Sequence, residues 1–170
     1  MTVAYIGIGS NHEAETNLKK GVDLLREQAN VITVSPVYES ASVNNDDAAS
    51  YLNAVMAIET EQLPEAIKLL LVDIENKCGR VRFDSEGNKS KEVALDFDLL
   101  LYGDAITDYG FNQKTYHVPH GDIVKYSYVA VPLAHIAADV VHPETEQTIF
   151  TIAIKLSNAN LRLRKDVELT

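Results

Sequence analysis

The apolar positions in the first part of the chain repeat with two periods, and each period predicts one kind of element. Apolar and polar residues alternate, with a period of two, in several short segments. This alternation predicts strands at residues 3–8, 31–38, 51–59 and 93–102. A helical period after the first strand predicts a helix over residues 13–28, with an apolar face formed by Ala14, Leu18, Val22 and Leu25.

A second helical pattern follows the third strand. It begins near Pro64, a residue favoured in the first turn of a helix, and ends at Gly79. Its apolar face is formed by Ile67, Leu70, Leu71, Ile74 and Cys78. The order β-α-β-β-α-β is the split unit of ferredoxin-like folds. We therefore predict an α+β fold in which helices pack on a largely antiparallel sheet.

The periodicity is weaker after Tyr102 and predicts a C-terminal extension to this core. Residues 118–138 are interpreted as a loop with one or two short helices, residues 144–158 as a further helix, and residues 161–169 as an edge strand. The chain has no internal repeat and no linker, and its 170 residues are 46% hydrophobic. We therefore expect a single domain over residues 1–170.

The composition excludes several classes of protein. Lysines and arginines number 15 against 25 aspartates and glutamates, a formal charge of -10, which argues against an extended nucleic-acid partner. Cys78 is the only cysteine, so neither a disulfide within the chain nor a cysteine-based metal site is expected. No apolar segment reaches membrane-spanning length, and the N-terminal apolar run has no basic leader. We expect a monomeric cytoplasmic protein that binds neither membrane nor nucleic acid.

Two aspartates interrupt the last predicted strand, "VALDFDLLLY". Alternation places Asp96 and Asp98 on one face, together with Ala94, Leu100 and Tyr102, so this face is at least partly covered. The opposite face is predicted to hold Val93, Leu95, Phe97, Leu99 and Leu101. Two like charges in a covered place need a cation or a shared proton, and Mg²⁺ favours carboxylate oxygens. Two interpretations stay open: a divalent-metal site, and a half-buried strand with its acids in water.

Cations and a ring with an amide lie close to these aspartates in the sequence order. The segment "GRVRFDSEGNKSKE" directly before the strand carries Arg80, Arg82, Lys89 and Lys91. It is either a phosphate-binding cluster or a solvated loop. In the third strand, Tyr51 is followed two positions later by Asn53. A ring and an amide on one face suit a flat heterocycle, although an ordinary strand start has the same pattern.

Several motifs in sequence order resemble one enzyme family. They are "YIGIGSN", "SPVYES", "YLNAVMAIET", "IENKCGRVR", "LDFDLLLYG", "VPH" and "YVAVPLAHIA", which together span about the first 140 residues. In these motifs the chain resembles the 6-hydroxymethyl-7,8-dihydropterin pyrophosphokinases of folate biosynthesis. The resemblance implies a ferredoxin-like fold, two Mg²⁺ ions bound with ATP, and transfer of diphosphate from ATP to 6-hydroxymethyl-7,8-dihydropterin with release of AMP.

The resemblance also implies roles for individual residues. Asp96 and Asp98 would hold both Mg²⁺ ions, and Arg80 and Arg82 would approach the phosphates from a mobile catalytic loop. His120 of "VPH" would contact ATP; otherwise it is a loop histidine that caps a turn. The implied pterin-binding residues are Ser40, Val43, Tyr51, Asn53 and Tyr128.

The chain departs from the family pattern where two arginines and a lid aromatic are expected. Val93 and Tyr126 stand at the arginine positions, and "SKE" from Ser90 replaces an aromatic-Gly-Pro segment. Lys125, or a lysine of the basic segment, would substitute only in part, because an ammonium lacks the planar fork of a guanidinium. The departures leave two alternatives: an impaired paralogue that binds a pterin, a nucleotide or a protein without efficient transfer, and an enzyme with a different acceptor.

Overall fold

The structure is a computed structural model that describes residues 1–41, 49–157 and 160–169. The elements in these ranges are, in chain order, β1 (Thr2–Ser10), α1 (Ala14–Arg26), β2 (Asn30–Val34), β3 (Tyr38–Ser40), β4 (Tyr51–Thr60), α2 (Pro64–Lys77), β5 (Asp96–Tyr102), β6 (Thr107–Phe111), β7 (Lys114–Val118), a 3₁₀ helix (Gly121–Val124), α3 (Ser127–Ala137), α4 (Ile149–Leu156) and β8 (Arg162–Leu163). None of the helices in these ranges is long and apolar enough to cross a membrane.

The main sheet is antiparallel, with the order β5-β1-β4-β3-β8 and with β2 also paired to β4. Strands β2 and β3 pair with opposite ends of β4. The strand predicted at residues 31–38 is therefore interrupted, because Pro36 has no N–H to donate to the ladder. Ser35 bridges the gap, since its N–H donates to the carbonyl of Val55 and its Oγ accepts from the N–H of Val55. With β2 and β3 counted as one strand, the predicted ferredoxin-like α+β fold is confirmed.

Helices cover the two faces of the sheet differently. On one face, here called the closed face, α1 and α2 bury a first core that includes Leu18, Val22, Leu71 and Phe97. On the other, here called the open face, α3 packs on β4 and carries α4 on its outer side. The second core lies beneath α3 and includes Val55, Leu100, Leu101, Leu133 and Ile152.

Strand β5 keeps the predicted alternation only in its first half. Tyr5 pairs with Leu101 but Ile6 pairs with Leu99, so Leu100 lies in a β-bulge. Beyond the bulge, Leu101 packs into the second core and Tyr102 against the first. The predicted faces of these two residues are therefore wrong. The prediction for Val93 is also wrong, because β5 begins only at Asp96 and Val93 lines the open face.

The sequence interpretation missed a hairpin after β5. Strands β6 and β7 pair through a tight turn in which Asn112 and Gln113 have positive φ values of 47° and 62°. Tyr109 and Val118 of this hairpin are buried in the first core, and β6 packs against α2. The C-terminal elements lie where the sequence predicted them. The 3₁₀ helix and α3 fall within residues 118–138, α4 is shorter than expected, and the two-residue strand β8 pairs with β3 at the sheet edge.

Candidate active site

A cleft of about 520 Å³ opens on the open face, beside the part that α3 covers. Gly7 and Gly9 form its floor and lie opposite Asp98 and Asp96 in the register of β1 and β5. A Cβ at Gly9 would lie 3.4 Å from Oδ1 of Asn53, so side chains on β1 would fill the floor. The cleft brings together eight residues that the sequence predicted for the site: Ser40, Tyr51, Asn53, Arg80, Asp96, Asp98, His120 and Tyr128.

The two aspartates share the face that alternation predicted, and their side chains are 44% and 40% exposed. Nη2 of Arg80 lies 4.0 Å from Oδ1 of Asp96. Oδ1 of Asp98 lies 3.9 Å from Nε2 of His120 and 4.0 Å from Nζ of Lys68. These distances exceed hydrogen-bond length, so none of these three side chains occupies the carboxylate oxygens through a hydrogen bond.

The electrostatics of the pair favour a bound cation. Burial, and then the charge of Asp96, raise the pKa of the Asp98 carboxyl above its ordinary value. Two carboxylates are hard oxygen donors of the kind that Mg²⁺ prefers. Within the described ranges, no histidine, cysteine or further acidic side chain joins the two aspartates to form a group of three potential metal ligands. The two carboxylates therefore fit a hard divalent cation such as Mg²⁺, whose remaining ligands would have to come from outside the protein.

The two arginines of the basic segment have different surroundings. The Arg80 side chain is only 7% exposed and lines the cleft, and its buried Nε has no hydrogen-bond partner among the described residues. Arg82 does not line the cleft; its guanidinium instead pairs with Glu75 of α2, whose side chain is fully buried. Burial raises the pKa of Glu75, while hydrogen bonding from the N–H of Phe97 acts in the opposite direction. Of the two arginines, only Arg80 therefore lies beside the aspartates.

His120 caps a turn, which is one of the two interpretations that the sequence left open, and it also lines the cleft. Its Nδ1 accepts from the N–H of Asp122 at 3.2 Å and caps the 3₁₀ helix. In a neutral ring that accepts at Nδ1, the proton is on Nε2, which faces Asp98. The N–H of His120 also donates to the carbonyl of Leu100 at 2.8 Å, which ties this loop to β5.

Aromatic and polar side chains also line the cleft. Nδ2 of Asn53 donates to Oγ of Ser40 at 2.9 Å, which holds the amide between β4 and β3. Tyr51 and Tyr128 line the cleft, and burial raises the pKa of both phenols. Val43, the remaining pterin-site prediction, lies outside the described residues.

The departures from the family pattern have structural counterparts. Val93 is buried at the cleft wall. The ring of Tyr126 stacks on Tyr128, with centroids 5.0 Å apart and planes 17° apart. Ser90, with Lys89 and Lys91 on either side, lines the cleft, whereas Lys125 is not among the lining residues.

Sequence reasoning missed two charged groups next to the aspartates. Asp122 lines the cleft beside His120, and Lys68 approaches Asp98 from α2. A signal for Lys68 was present. It lies seven residues before Glu75, beside the apolar face of α2, where a helix places buried side chains.

Comparisons with known proteins identify the family. The family model described as 7,8-dihydro-6-hydroxymethylpterin-pyrophosphokinase matches residues 5–138. The 2-amino-4-hydroxy-6-hydroxymethyldihydropteridine pyrophosphokinase of Haemophilus influenzae is 36% identical over 151 residues, covering 86% of this chain and 88% of the relative. The enzyme of that name from Aquifex aeolicus is 30% identical over 144 residues, covering 84% of this chain and 85% of the relative.

A solved structure supports the same fold. The crystal structure of Plasmodium falciparum wild-type HPPK-DHPS with pteroate matches with a TM-score of 0.74 at 11% identity. The match covers 95% of this chain but only 47% of that longer one. The sequence matches and the fold together show that this chain belongs to the 7,8-dihydro-6-hydroxymethylpterin-pyrophosphokinase family.

Proposed function

We propose that this protein transfers the terminal diphosphate of ATP to the hydroxymethyl group of 6-hydroxymethyl-7,8-dihydropterin and releases AMP. The observation that carries the proposal is a single cleft lined by two chemically different sets of side chains. The aspartate pair with Arg80 and His120 would form a phosphate end, and the rings of Tyr51 and Tyr128 with the amide of Asn53 would form a pterin end. Such a cleft can align a triphosphate with a flat heterocycle.

At the phosphate end, Asp96 and Asp98 would hold the two Mg²⁺ ions that accompany ATP. Bound Mg²⁺ would neutralise the triphosphate and polarise its phosphoryl oxygens. Arg80 is positioned to donate to phosphate oxygens, because its Nε is buried at the cleft without a partner among the described residues. His120 would donate through Nε2. Arg82 would have to leave Glu75 to join them.

At the pterin end, Tyr51 and Tyr128 would contact the faces of the ring, and Asn53 would hydrogen-bond its edge. Ser40 supports this assignment because its Oγ accepts from Asn53 Nδ2, which leaves the amide oxygen available. Val43 is proposed for the same wall from the sequence alone. Tyr126 supports the ring of Tyr128 from behind by stacking.

The reaction needs alignment and charge neutralisation more than covalent chemistry by the protein. The pterin hydroxyl oxygen attacks the β-phosphorus and loses its proton to solvent. The bond between that phosphorus and the α,β-bridging oxygen breaks, and AMP leaves with the bonding electron pair. Fixing the two substrates in one cleft supplies the alignment. The cations around the triphosphate offset the charge that develops as AMP departs. We also expect the protein to act as a cytoplasmic monomer of one domain.

The test is AMP release from ATP and Mg²⁺ by purified protein, with and without 6-hydroxymethyl-7,8-dihydropterin. We expect pterin-dependent AMP, and a loss of at least about a thousandfold in Asp96→Ala, because this change removes a proposed metal ligand. Asp104→Ala, an exposed aspartate just beyond β5, is the matched control and should leave the rate unchanged. Unchanged turnover in Asp96→Ala would exclude the metal assignment.

The buried Val93 and the stacked Tyr126 favour one alternative, a paralogue that binds a pterin or nucleotide without efficient transfer. The assay separates it from the main proposal. Folded protein that binds the pterin but releases no AMP would support the paralogue. ATP consumption with another acceptor, together with weak pterin binding, would support a different substrate.

A further inference from the structure

Lys68 of α2 is a buried basic residue to which the proposed reaction assigns no role. Its side chain is 7% exposed, although lysine is rarely buried unless it is paired. Its Nζ donates to the carbonyl of Phe97 at 3.0 Å, lies 4.0 Å from Oδ1 of Asp98, and lies 5.1 Å from the centroid of the Tyr116 ring. The carbonyl, the carboxylate and the ring face together compensate a charge that would otherwise be costly to bury.

The position of Lys68 follows from the edge of the sheet. Because β5 is an edge strand, one row of its backbone groups faces away from β1. The N–H of Phe97 donates to Oε1 of Glu75 at 2.7 Å, and its carbonyl accepts from Lys68. Two side chains of α2 therefore hold, from outside the sheet, the residue that separates Asp96 from Asp98.

Lys68 is not among the residues that line the cleft, so it does not reach a ligand there directly. Its effect must pass through Asp98 or through the charge of the site. Among the described residues, Arg80 and Lys68 are the arginine and the lysine whose side chains come within 4.0 Å of the aspartate pair. Arg80 is the partner of Asp96 and Lys68 is the partner of Asp98, so each aspartate has one basic side chain beside it.

We propose that Lys68 is a positioning residue that fixes Asp98 and balances the aspartate pair, so that the cleft accepts a metal together with a triphosphate rather than a metal alone. The proposal rests on the proposed function for the identity of the ligands. Removing the ammonium would leave the site one unit more negative. A free divalent ion would then bind more tightly, while the complex of one Mg²⁺ with a triphosphate, which keeps a net negative charge, would bind more weakly.

The test compares Lys68→Met, which keeps an unbranched side chain without the charge, with the wild type. Binding of Mn²⁺ alone is followed by electron paramagnetic resonance, and binding of the Mg²⁺ complex of α,β-methylene-ATP by calorimetry. In Lys68→Met we expect the affinity for Mn²⁺ to rise roughly threefold to tenfold and the affinity for the analogue to fall by a similar factor. This is the effect expected from the loss of one positive charge a few ångströms away. Lys68→Arg, which keeps the charge, should return both affinities toward the wild-type values.

Lys20→Met is the matched control. Lys20 also donates to a backbone carbonyl, that of Lys77 at 2.8 Å, but it is exposed. This variant should change neither affinity. If Lys68→Met weakens both ligands alike, Lys68 only supports the fold and the proposal is wrong. Wild-type protein that binds neither probe would also overturn it.

A ligand-free measurement keeps the inference independent of the reaction. The free energies of unfolding of the wild type, Lys68→Met, Asp98→Asn and the double variant, measured by denaturant titration, form a double-mutant cycle. Coupled residues should give a double variant that is less destabilised than the sum of the single changes. Strict additivity would show that Lys68 does not act on Asp98. Absence of AMP formation by the wild type would contradict the proposed function but leave this cycle interpretable.

Discussion

The closed and open faces of the central sheet are built from the same strands but differ in what covers them. On the closed face, α1 and α2 bury apolar residues such as Leu71 and Phe97 completely. On the open face, α3 covers Leu100, and the same strand leaves Asp96 and Asp98 about two-fifths exposed. Alternate side chains of one strand lie on opposite faces of the sheet. A site with charged groups can therefore form on the part of one face that no helix covers, while the other face stays buried.

The difference predicts that the two faces respond to mutation in separate ways. A large apolar residue on the closed face contributes mainly to the free energy of unfolding. The aspartates of the open face repel one another and lose hydration, so they contribute little to stability. Asp96→Ala should therefore lose transfer while remaining folded.

The largest effect on stability is expected from the closed face. Leu71→Ala removes a fully buried side chain from beneath the sheet. It should lower the free energy of unfolding by about 2–5 kcal/mol, measured by urea denaturation. AMP release per folded molecule should stay close to the wild-type value, since Leu71 does not line the cleft. A comparable loss of turnover in the folded fraction would show that the two faces are not separable.

A smaller difference is expected between the two arginines of the basic segment. Arg80→Met removes the guanidinium that faces Asp96 and should slow transfer by about a hundredfold to a thousandfold, which corresponds to about 2.7–4 kcal/mol. Arg82→Met should slow transfer less than Arg80→Met does, because Arg82 pairs with Glu75 and does not line the cleft. The check is kcat and KM for ATP in both variants. Equal losses in KM would mean that Arg82 also faces the cleft before ATP binds.

The smallest effect on stability is expected at His117, which links the β6–β7 hairpin to the segment before α4. Nδ1 of His117 lies 2.6 Å from Asp108 on β6, and Nε2 lies 2.9 Å from Glu144. These hydrogen bonds raise the pKa of His117 above its ordinary value, with Asp108 the larger cause. The contribution to stability is therefore fully present below the ordinary pKa and is lost as the pH rises through the raised pKa.

His117→Gln should consequently be less stable than the wild type at about pH 5.5 and equally stable at about pH 9. Because the imidazole is 41% exposed, the difference at low pH should stay below about 1 kcal/mol. Thermal unfolding at both values measures it, and about 1 M salt should reduce it. A difference that grows with pH would contradict the ion pairs.

The core of the fold was predictable because each element carried its own period. Apolar stripes predicted α1 and α2, and alternation predicted β1, β4 and the first half of β5. The β6–β7 hairpin was missed because only Tyr109 and Val118 of its strands are buried in the first core, which leaves too few apolar positions for a recognisable period. The break at Pro36 could have been foreseen, since proline cannot donate within a ladder.

Part of the candidate site was also predictable from the sequence. The face shared by Asp96 and Asp98 followed from alternation over three residues, and the resemblance supplied Arg80 and His120 as candidates, both of which line the cleft. The bulge at Leu100 was not predictable, because it arises from the pairing of β5 with β1 and reverses the side chains that follow it.

The sequence by itself therefore determined the order of elements in the β-α-β-β-α-β core, the family and the shared direction of the two carboxylates. These properties depend on local periods and on motifs in chain order. The tertiary structure alone decided which cations approach the carboxylates: Arg80 rather than Arg82, and Lys68 from a helix beside the sheet edge. The physical reason is that a long side chain reaches several neighbours, and the packing of helix, hairpin and edge strand selects among them.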